Sequence, residues 1–224
     1  MNGKGVIFDM DGVLVNSYQA HYESWKIMAA AHGVNVTEEM FREQFGRTSR
    51  EIVKAWWGHV SEQEMHRWDR EKEEAYRELI LADFPAMDGA EDLLKALHKA
   101  GFKLAIGSSG PPENVEVVRQ CLREEGADLF DAAVTGFEVH EGKPHPEVFL
   151  KASSKLGLSP RQCCVVEDAP VGVEAARRAG TAVVAILGTV PQEKLAEADI
   201  VVQSLREVSP ERISQLIDRN SRKT

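Results

Sequence analysis

Asp9 and Asp11 stand with one residue between them at the end of the apolar run Val6-Ile7-Phe8, in the stretch VIFDMDGVLV. In an extended segment, side chains two apart point the same way, so these carboxylates would share one small volume and repel. A bound cation, a shared proton or a loop that splays them into water would relieve that repulsion. Three more groups able to do chemistry follow other apolar runs: Ser108, Ser109 and Gly110 in GSSG, Lys143 in GKPHP, and the pair Glu167-Asp168. Each alone has an ordinary reading as a turn, a loop entering a helix, a surface lysine or a solvated strand end. Their joint order along the chain reverses those readings.

Together they suit phosphoryl transfer. A carboxylate can attack phosphorus and form an aspartyl phosphate. A second carboxylate two residues on can protonate the leaving oxygen and then activate water. Mg²⁺ prefers oxygen ligands and is held by a few carboxylates plus phosphate oxygens, which would neutralise the crowded acids, with Lys143 helping as a mobile point charge. Ser108 can donate its hydroxyl, and the backbone at Ser109 and Gly110 can donate N–H groups to an anion.

The elements that must position these groups can be read from periodicity. The apolar runs at 6–8, 103–107, 132–136, 163–166, 182–187 and 199–203 predict buried strands. Ala90, Leu93, Leu94, Leu97 and Ala100 recur at helical spacing before Gly101, and residues 172–179 predict a helix ended by Gly180. Ser159-Pro160-Arg161-Gln162 carries the signature of a helix start. Strands alternating with helices imply right-handed βαβ units and a parallel sheet, whose ligands bind beyond the carboxyl ends of the strands. Residues 17–84 break the alternation. There Asn16 or Ser17 would cap a helix reaching Ala31, before Gly33, and Ser61 with Glu64 forms a capping box opening a long helix towards Ile80. Trp25, Trp56, Trp57 and Trp68 supply a separate small core. The expected organisation is a Rossmann-like α/β core, residues 1–16 and 85–224, with an inserted α-helical cap domain, residues 17–84.

The 224 residues are 43% hydrophobic, ample for such a core, and a net charge of -9 weighs against a nucleic-acid surface. No apolar stretch approaches the roughly 20 residues of a membrane span, and the N-terminus lacks a signal-peptide pattern. Cys121, Cys163 and Cys164 have no metal-ligand spacing and read as core residues in a reducing cytoplasm. Nothing in the pattern fixes an oligomeric state.

Over nearly its whole length the chain resembles the haloacid dehalogenase-like (HAD) superfamily. FDMDGVLVNS is similar to the first motif of that superfamily, IGSSG to the second, GKPHPEVF to the third and VVEDAPVGVEAARRAG to the fourth. The resemblance implies Asp9 as nucleophile, Asp11 as general acid and base, Ser108 and Lys143 on the phosphate, and a Mg²⁺ site at Asp9, Asp11 (through its backbone carbonyl), Glu167 and Asp168. The helical insert resembles the cap of the β-phosphoglucomutase-like phosphatase subgroup, which places His21 at the hinge and Arg50 and Lys72 towards the substrate. The subgroup's mutase carries a lysine where this chain has Pro111, and an aspartate is common where it has Asn16. Those departures favour a Mg²⁺-dependent phosphatase acting on a small phosphorylated metabolite over a β-phosphoglucomutase-type isomerase. An inorganic pyrophosphatase is a further alternative. A silent phosphometabolite-binding protein is disfavoured by the intact set of site residues, and a haloacid dehalogenase by the acid at Asp11.

Overall fold

The computed structural model describes residues 3–44, 49–188 and 190–222. The chain divides into two compact units, Met1–Asn16 with Pro85–Thr224, and Ser17–Phe84. The first is built on the strands Gly5–Phe8 (β1), Lys103–Gly107 (β2), Ala132–Val134 (β3), Cys163–Glu167 (β4), Ala182–Ile186 (β5) and Ile200–Val202 (β6). They form one parallel sheet in the order β3-β2-β1-β4-β5-β6. The direction of winding reverses at β1, with β2 on one side and β4 on the other, which is the switch point where open α/β sheets place ligands. Register sets the faces: Ile7 lies level with Ala105 and Val165, and Val165 with Val183.

The strand β1 ends at Phe8, where its apolar run ends. Asp9 adds one more rung, its N–H donating to the Val166 carbonyl at 2.9 Å. The chain then turns: Leu14 N–H donates to Met10 O at 2.9 Å and Gly12 N–H to Val15 O at 2.8 Å. Asp11 therefore sits in a turn, and the expectation that both carboxylates project from one side of an extended segment does not hold for it.

The second unit contains the helices Tyr18–Ala31 (α1), Glu38–Gln44 (α2), Ser49–Trp57 (α3) and Glu62–Ala82 (α4). Trp25, Met28, Phe41, Ile52, Val53, Met65 and Trp68 form its core, with Trp56 and Trp57 packed against it. Burying a side chain of this size contributes roughly 1.5–3 kcal/mol. The Ser61–Glu64 capping box forms as expected, each side chain accepting from the other's backbone N–H. Ser17 is at the N-cap of α1, but its side chain makes no cap hydrogen bond. Its backbone is helical (φ -85, ψ -3), not the extended conformation from which a cap oxygen reaches forward.

The helices Ala90–Lys99 (α5), Pro112–Glu124 (α6), Glu147–Lys155 (α7), Pro170–Ala179 (α8) and Pro210–Ser221 (α9) complete the first unit. Val148, Phe149 and Ala152 of α7 and Val173, Ala175 and Ala176 of α8 pack on the Ile7, Ala105, Val165 and Val183 face. Both α5 and α9 also pack on the sheet, against β2 and against β4 and β5. The Ser159 signal closes only a single 3₁₀ turn, Pro160–Gln162, with its capping box intact. The strand β4 begins at once, because Cys163 and Cys164 are needed in the sheet interior, where both are fully buried. The three cysteines are free and buried, and burial pushes the Cys163 thiol up to about 12, so they serve as core residues. Among the described residues no helix is long and apolar enough to cross a membrane.

All four tryptophans lie in the Ser17–Phe84 unit, so tryptophan fluorescence reports on that unit alone. Ser61→Ala removes the α4 cap and should cost about 1 kcal/mol, seen as a lower urea midpoint by fluorescence. An unchanged midpoint would mean that the capping box contributes nothing to that unit.

Candidate active site

The site residues come from the carboxyl ends of adjacent strands. Asp9 follows β1, Ser108 follows β2, Glu167 ends β4 and Asp168 comes next, while Lys143 is delivered by the loop between β3 and α7. The Lys143 ammonium donates to Asp9 Oδ1 at 2.6 Å and to Glu167 Oε1 at 2.6 Å, and lies 5.0 Å from the centre of the Phe149 ring. Glu167 Oε2 accepts from the backbone N–H groups of Asp168 at 2.8 Å and Ala169 at 2.7 Å. Both Glu167 oxygens are thereby engaged, and the residue is only 1% exposed.

Two glycines make room for these acids. A Cβ at Gly172, on the first turn of α8, would overlap the Glu167 carboxylate. A Cβ at Gly12 would overlap the Asp168 carboxylate, and Gly12 also holds φ +77, a left-handed value that favours glycine. In the sequence they read as a turn glycine and a helix glycine; only the fold reveals that each faces an acid.

Electrostatically the cluster is short of positive charge. Carboxylate oxygens of Asp9, Glu167 and Asp168 lie within 4.8 Å of one another, against the single ammonium of Lys143. Burial raises Asp9 to about 7 even though Lys143 pulls it down, with Glu167 and Asp11 adding to the rise. Burial also raises Asp168 well above the usual carboxylate range, helped by the charges of Glu167 and Asp9. Burial disfavours the Lys143 ammonium, but Asp9 and Glu167 outweigh it and raise Lys143 above its ordinary value. Such a group of hard oxygen donors, without histidine or cysteine, fits an Mg²⁺-sized cation. The Asp11 carboxylate is outside that group of three, though close enough to raise both Asp9 and Asp168.

At the end of β2, Ser108 is buried and its N–H continues the ladder to Val134 O at 3.0 Å. Its Oγ accepts from Gly110 N–H at 3.0 Å, which leaves the hydroxyl proton to donate to an anion. Ser109 is exposed and Gly110 half-buried.

The expected cap residues are placed differently from one another. His21 on α1 and Lys72 on α4 meet, His21 Nδ1 and Lys72 Nζ being 3.0 Å apart. His21 also stacks on Tyr76 at 4.3 Å. Lys72 is buried, ion-paired to Glu73 at 2.7 Å. Arg50 is exposed and makes two 2.7 Å hydrogen bonds to Glu62. Sequence reasoning missed both of these acidic partners, Glu73 and Glu62. A periodicity reading does not say which acid a basic residue meets.

The description of the haloacid dehalogenase-like hydrolases matches residues 4–180. The chain is 37% identical over 209 residues to validoxylamine A 7'-phosphate phosphatase of Streptomyces hygroscopicus subsp. limoneus, covering 92% of this chain and 95% of the relative. It is 32% identical over 209 residues to hexitol phosphatase A of Escherichia coli (strain K12), covering 93% and 94%. Among solved structures, beta-phosphoglucomutase from Clostridium difficile superposes with a TM-score of 0.80 at 26% identity, covering 97% of this chain and 98% of that one.

The raised acids carry a pH signature. Between the unfolded carboxylate range near 3.8 and the folded values, about 7 for Asp9, the native state holds protons that the unfolded chain has released. Their contribution to stability is present below that window and is lost as pH rises through it. A divalent cation competes with those protons. Saturating Mg²⁺ should therefore raise Tm by more at pH 8 than at pH 5, by several degrees at a hundredfold excess over Kd, and Asp168→Asn should remove most of the increment. A Mg²⁺ shift that is equal at both pH values, or intact in Asp168→Asn, would show that the cluster is not the cation site.

Proposed function

This chain belongs to the haloacid dehalogenase-like hydrolases, in the β-phosphoglucomutase-like phosphatase subgroup, and on that footing we propose that it hydrolyses a small phosphorylated metabolite, a sugar phosphate or similar ester, through a phosphorylated Asp9. The observation that carries the proposal is the buried Lys143 ammonium bridging Asp9 and Glu167 beside Asp168. Two relatives are named validoxylamine A 7'-phosphate phosphatase and hexitol phosphatase A, and the hexitol of the second name supports a polyhydroxylated substrate.

In this mechanism Lys143 occupies Asp9 Oδ1 and leaves Oδ2 to attack phosphorus. The new P–O bond forms as the bond to the alkoxide leaving group breaks, and Asp11 gives its proton to that oxygen. The protonated leaving group departs as an alcohol. Asp11, now a base, takes a proton from water as the water attacks the phosphorylated Asp9, releasing inorganic phosphate and restoring both acids. Ser108 donates its hydroxyl to a phosphate oxygen and the Ser109 N–H assists; the Gly110 N–H, which donates to Ser108 Oγ, orients that hydroxyl and can turn to the anion when one is bound. Asp9, Glu167 and Asp168, with the Asp11 backbone carbonyl, would hold Mg²⁺, which would supply positive charge to the phosphoryl oxygens. The Ser17–Phe84 unit is proposed as the cap that selects the substrate, since the chain leaves the sheet just after Asp9 and Asp11 and returns before Ser108. In it His21, linked to Lys72, acts at the hinge, and Lys72 and Arg50 act as substrate contacts once released from Glu73 and Glu62. The free buried thiols fit a cytoplasmic enzyme.

Asp9→Asn keeps the shape of the side chain but not the nucleophile, and should lower turnover about a thousandfold or more. Phosphate release within tenfold of wild type would remove Asp9 from that role.

The mutase reading has one specific point in its favour, the similarity to a solved β-phosphoglucomutase. Against it stands Pro111 at the N-cap of α6, which offers neither charge nor hydrogen bond to a second phosphate. One charge-assisted contact to phosphate is worth about 1.5–3 kcal/mol, roughly one to two powers of ten in retention of a bisphosphate. Supplied with β-glucose 1-phosphate and a trace of the 1,6-bisphosphate, the enzyme should release free phosphate faster than it forms glucose 6-phosphate. The opposite order of rates would establish a mutase.

A further inference from the structure

Between β3 and α7 the chain crosses residues 135–146, and the two ends of this crossing touch two different parts of the site. At the near end, Gly136 N–H donates to Gly110 O at 3.1 Å, and a Cβ at Gly136 would overlap the Ser109 carbonyl. At the far end the crossing delivers Lys143 to Asp9 and Glu167.

One face of α7 holds the whole span. Glu147, Lys151 and Lys155 recur every four residues and so line up on that face. Lys155 donates to Ala133 O at 2.7 Å and pairs with Glu138 at 2.5 Å. Lys151 donates to Glu138 O at 2.5 Å and pairs with Glu147 at 2.7 Å. Glu147 Oε2 accepts from the N–H groups of His140 at 2.9 Å and Glu141 at 3.2 Å. Glu138 Oε1 accepts from Thr135 N–H at 3.1 Å. Beside the two side-chain pairs, the other contacts go to backbone groups, so they fix the path of the chain in a way that exposed side-chain pairs do not. Lys151 and the two N–H groups hold Glu147 down to about 2, so it stays ionised throughout the neutral range.

We propose that this polar ladder on α7 sets the position of Lys143 relative to the Ser108–Gly110 loop, and that Glu147 is the positioning residue for Lys143. Glu147 makes its contacts two residues or more from the reacting groups and acts through the loop at 140–143. The proposal rests on the phosphatase reading above, because only that reading gives Lys143 a task.

The test uses the full-length protein with p-nitrophenyl phosphate, comparing wild type, Glu147→Ala, Glu147→Gln, Lys143→Ala and the Lys143→Ala/Glu147→Ala double variant, with amide exchange measured on each. Glu147→Ala should lower kcat by about tenfold to a hundredfold, the scale of a small misplacement of a reacting group. Glu147→Gln keeps an oxygen for both N–H groups and should stay within about threefold of wild type. In the Lys143→Ala background, Glu147→Ala should cost less than about twofold more, because a residue acting through Lys143 has nothing left to position. Amides at 139–142 should exchange faster in Glu147→Ala, with β1 and β4 unchanged. Glu147→Ala at wild-type activity, additive losses in the double variant, or unchanged exchange at 139–142 would each overturn the proposal. Lys143→Ala at wild-type activity would also overturn it. If the wild type itself releases no p-nitrophenol, the phosphatase reading fails instead, and exchange at 139–142 still decides whether Glu147 holds the loop.

Discussion

The first unit is organised around one buried ammonium. Lys143 lies between Asp9 and Glu167, all three nearly out of solvent. Removing charges from water costs several kcal/mol per ion, recovered only when geometry is good and the remaining lone pairs are satisfied. The surroundings meet those conditions in detail. Glu167 places one oxygen on Lys143 and the other on two backbone N–H groups at the start of α8. Gly172 leaves the volume that its carboxylate fills. Phe149 sets an aromatic face 5.0 Å from the ammonium. Asp168 has no such compensation from Lys143 alone, which is why burial and its acidic neighbours leave it raised. With the Lys143 ammonium set against three carboxylates, the cluster is short of positive charge.

The sheet makes that balance possible. Because β1 lies between β2 and β4, the chain can bring an acid from residue 9 beside acids from residues 167 and 168 with no long loop. Asp9 N–H donates to Val166 O, so Asp9 is held by the sheet ladder and not by a mobile segment. Lys143 alone comes from a loop, which is why the contacts from α7 to that loop matter more than surface ion pairs elsewhere on the molecule.

Much of this was legible from residue types. The strands were readable because buried parallel strands are continuous apolar runs, and Lys103–Gly107 matches its run residue for residue. The site acids were readable because charge at the end of such a run needs a reason. What could not be read was turn geometry and volume. Asp11 reads as extended, like Asp9, until the Met10–Leu14 hydrogen bond turns the chain. Ser159 looks like a helix start until the sheet claims Cys163. Gly12 and Gly172 are ordinary glycines until the carboxylates beside them are placed. In each case a local preference gave way to a neighbour distant in sequence.

The same distinction separates the two sets of proposed site residues. In the sheet unit, Lys143 meets the acids that the chemistry requires, and the pairing leaves one Asp9 oxygen for reaction. In the helical unit, Arg50 and Lys72 are already paired with Glu62 and Glu73. The Arg50 pair is exposed, where an ion pair adds little, so a phosphorylated ligand can compete for that guanidinium at small cost. Lys72 is buried, and its pairing includes His21 and the faces of Trp25 and Tyr76. Exchanging those contacts for a ligand costs far more, because several contacts of a buried ammonium would be given up together in a low-dielectric setting. Of the two, Arg50 therefore gives up its present contacts at less cost than Lys72 does.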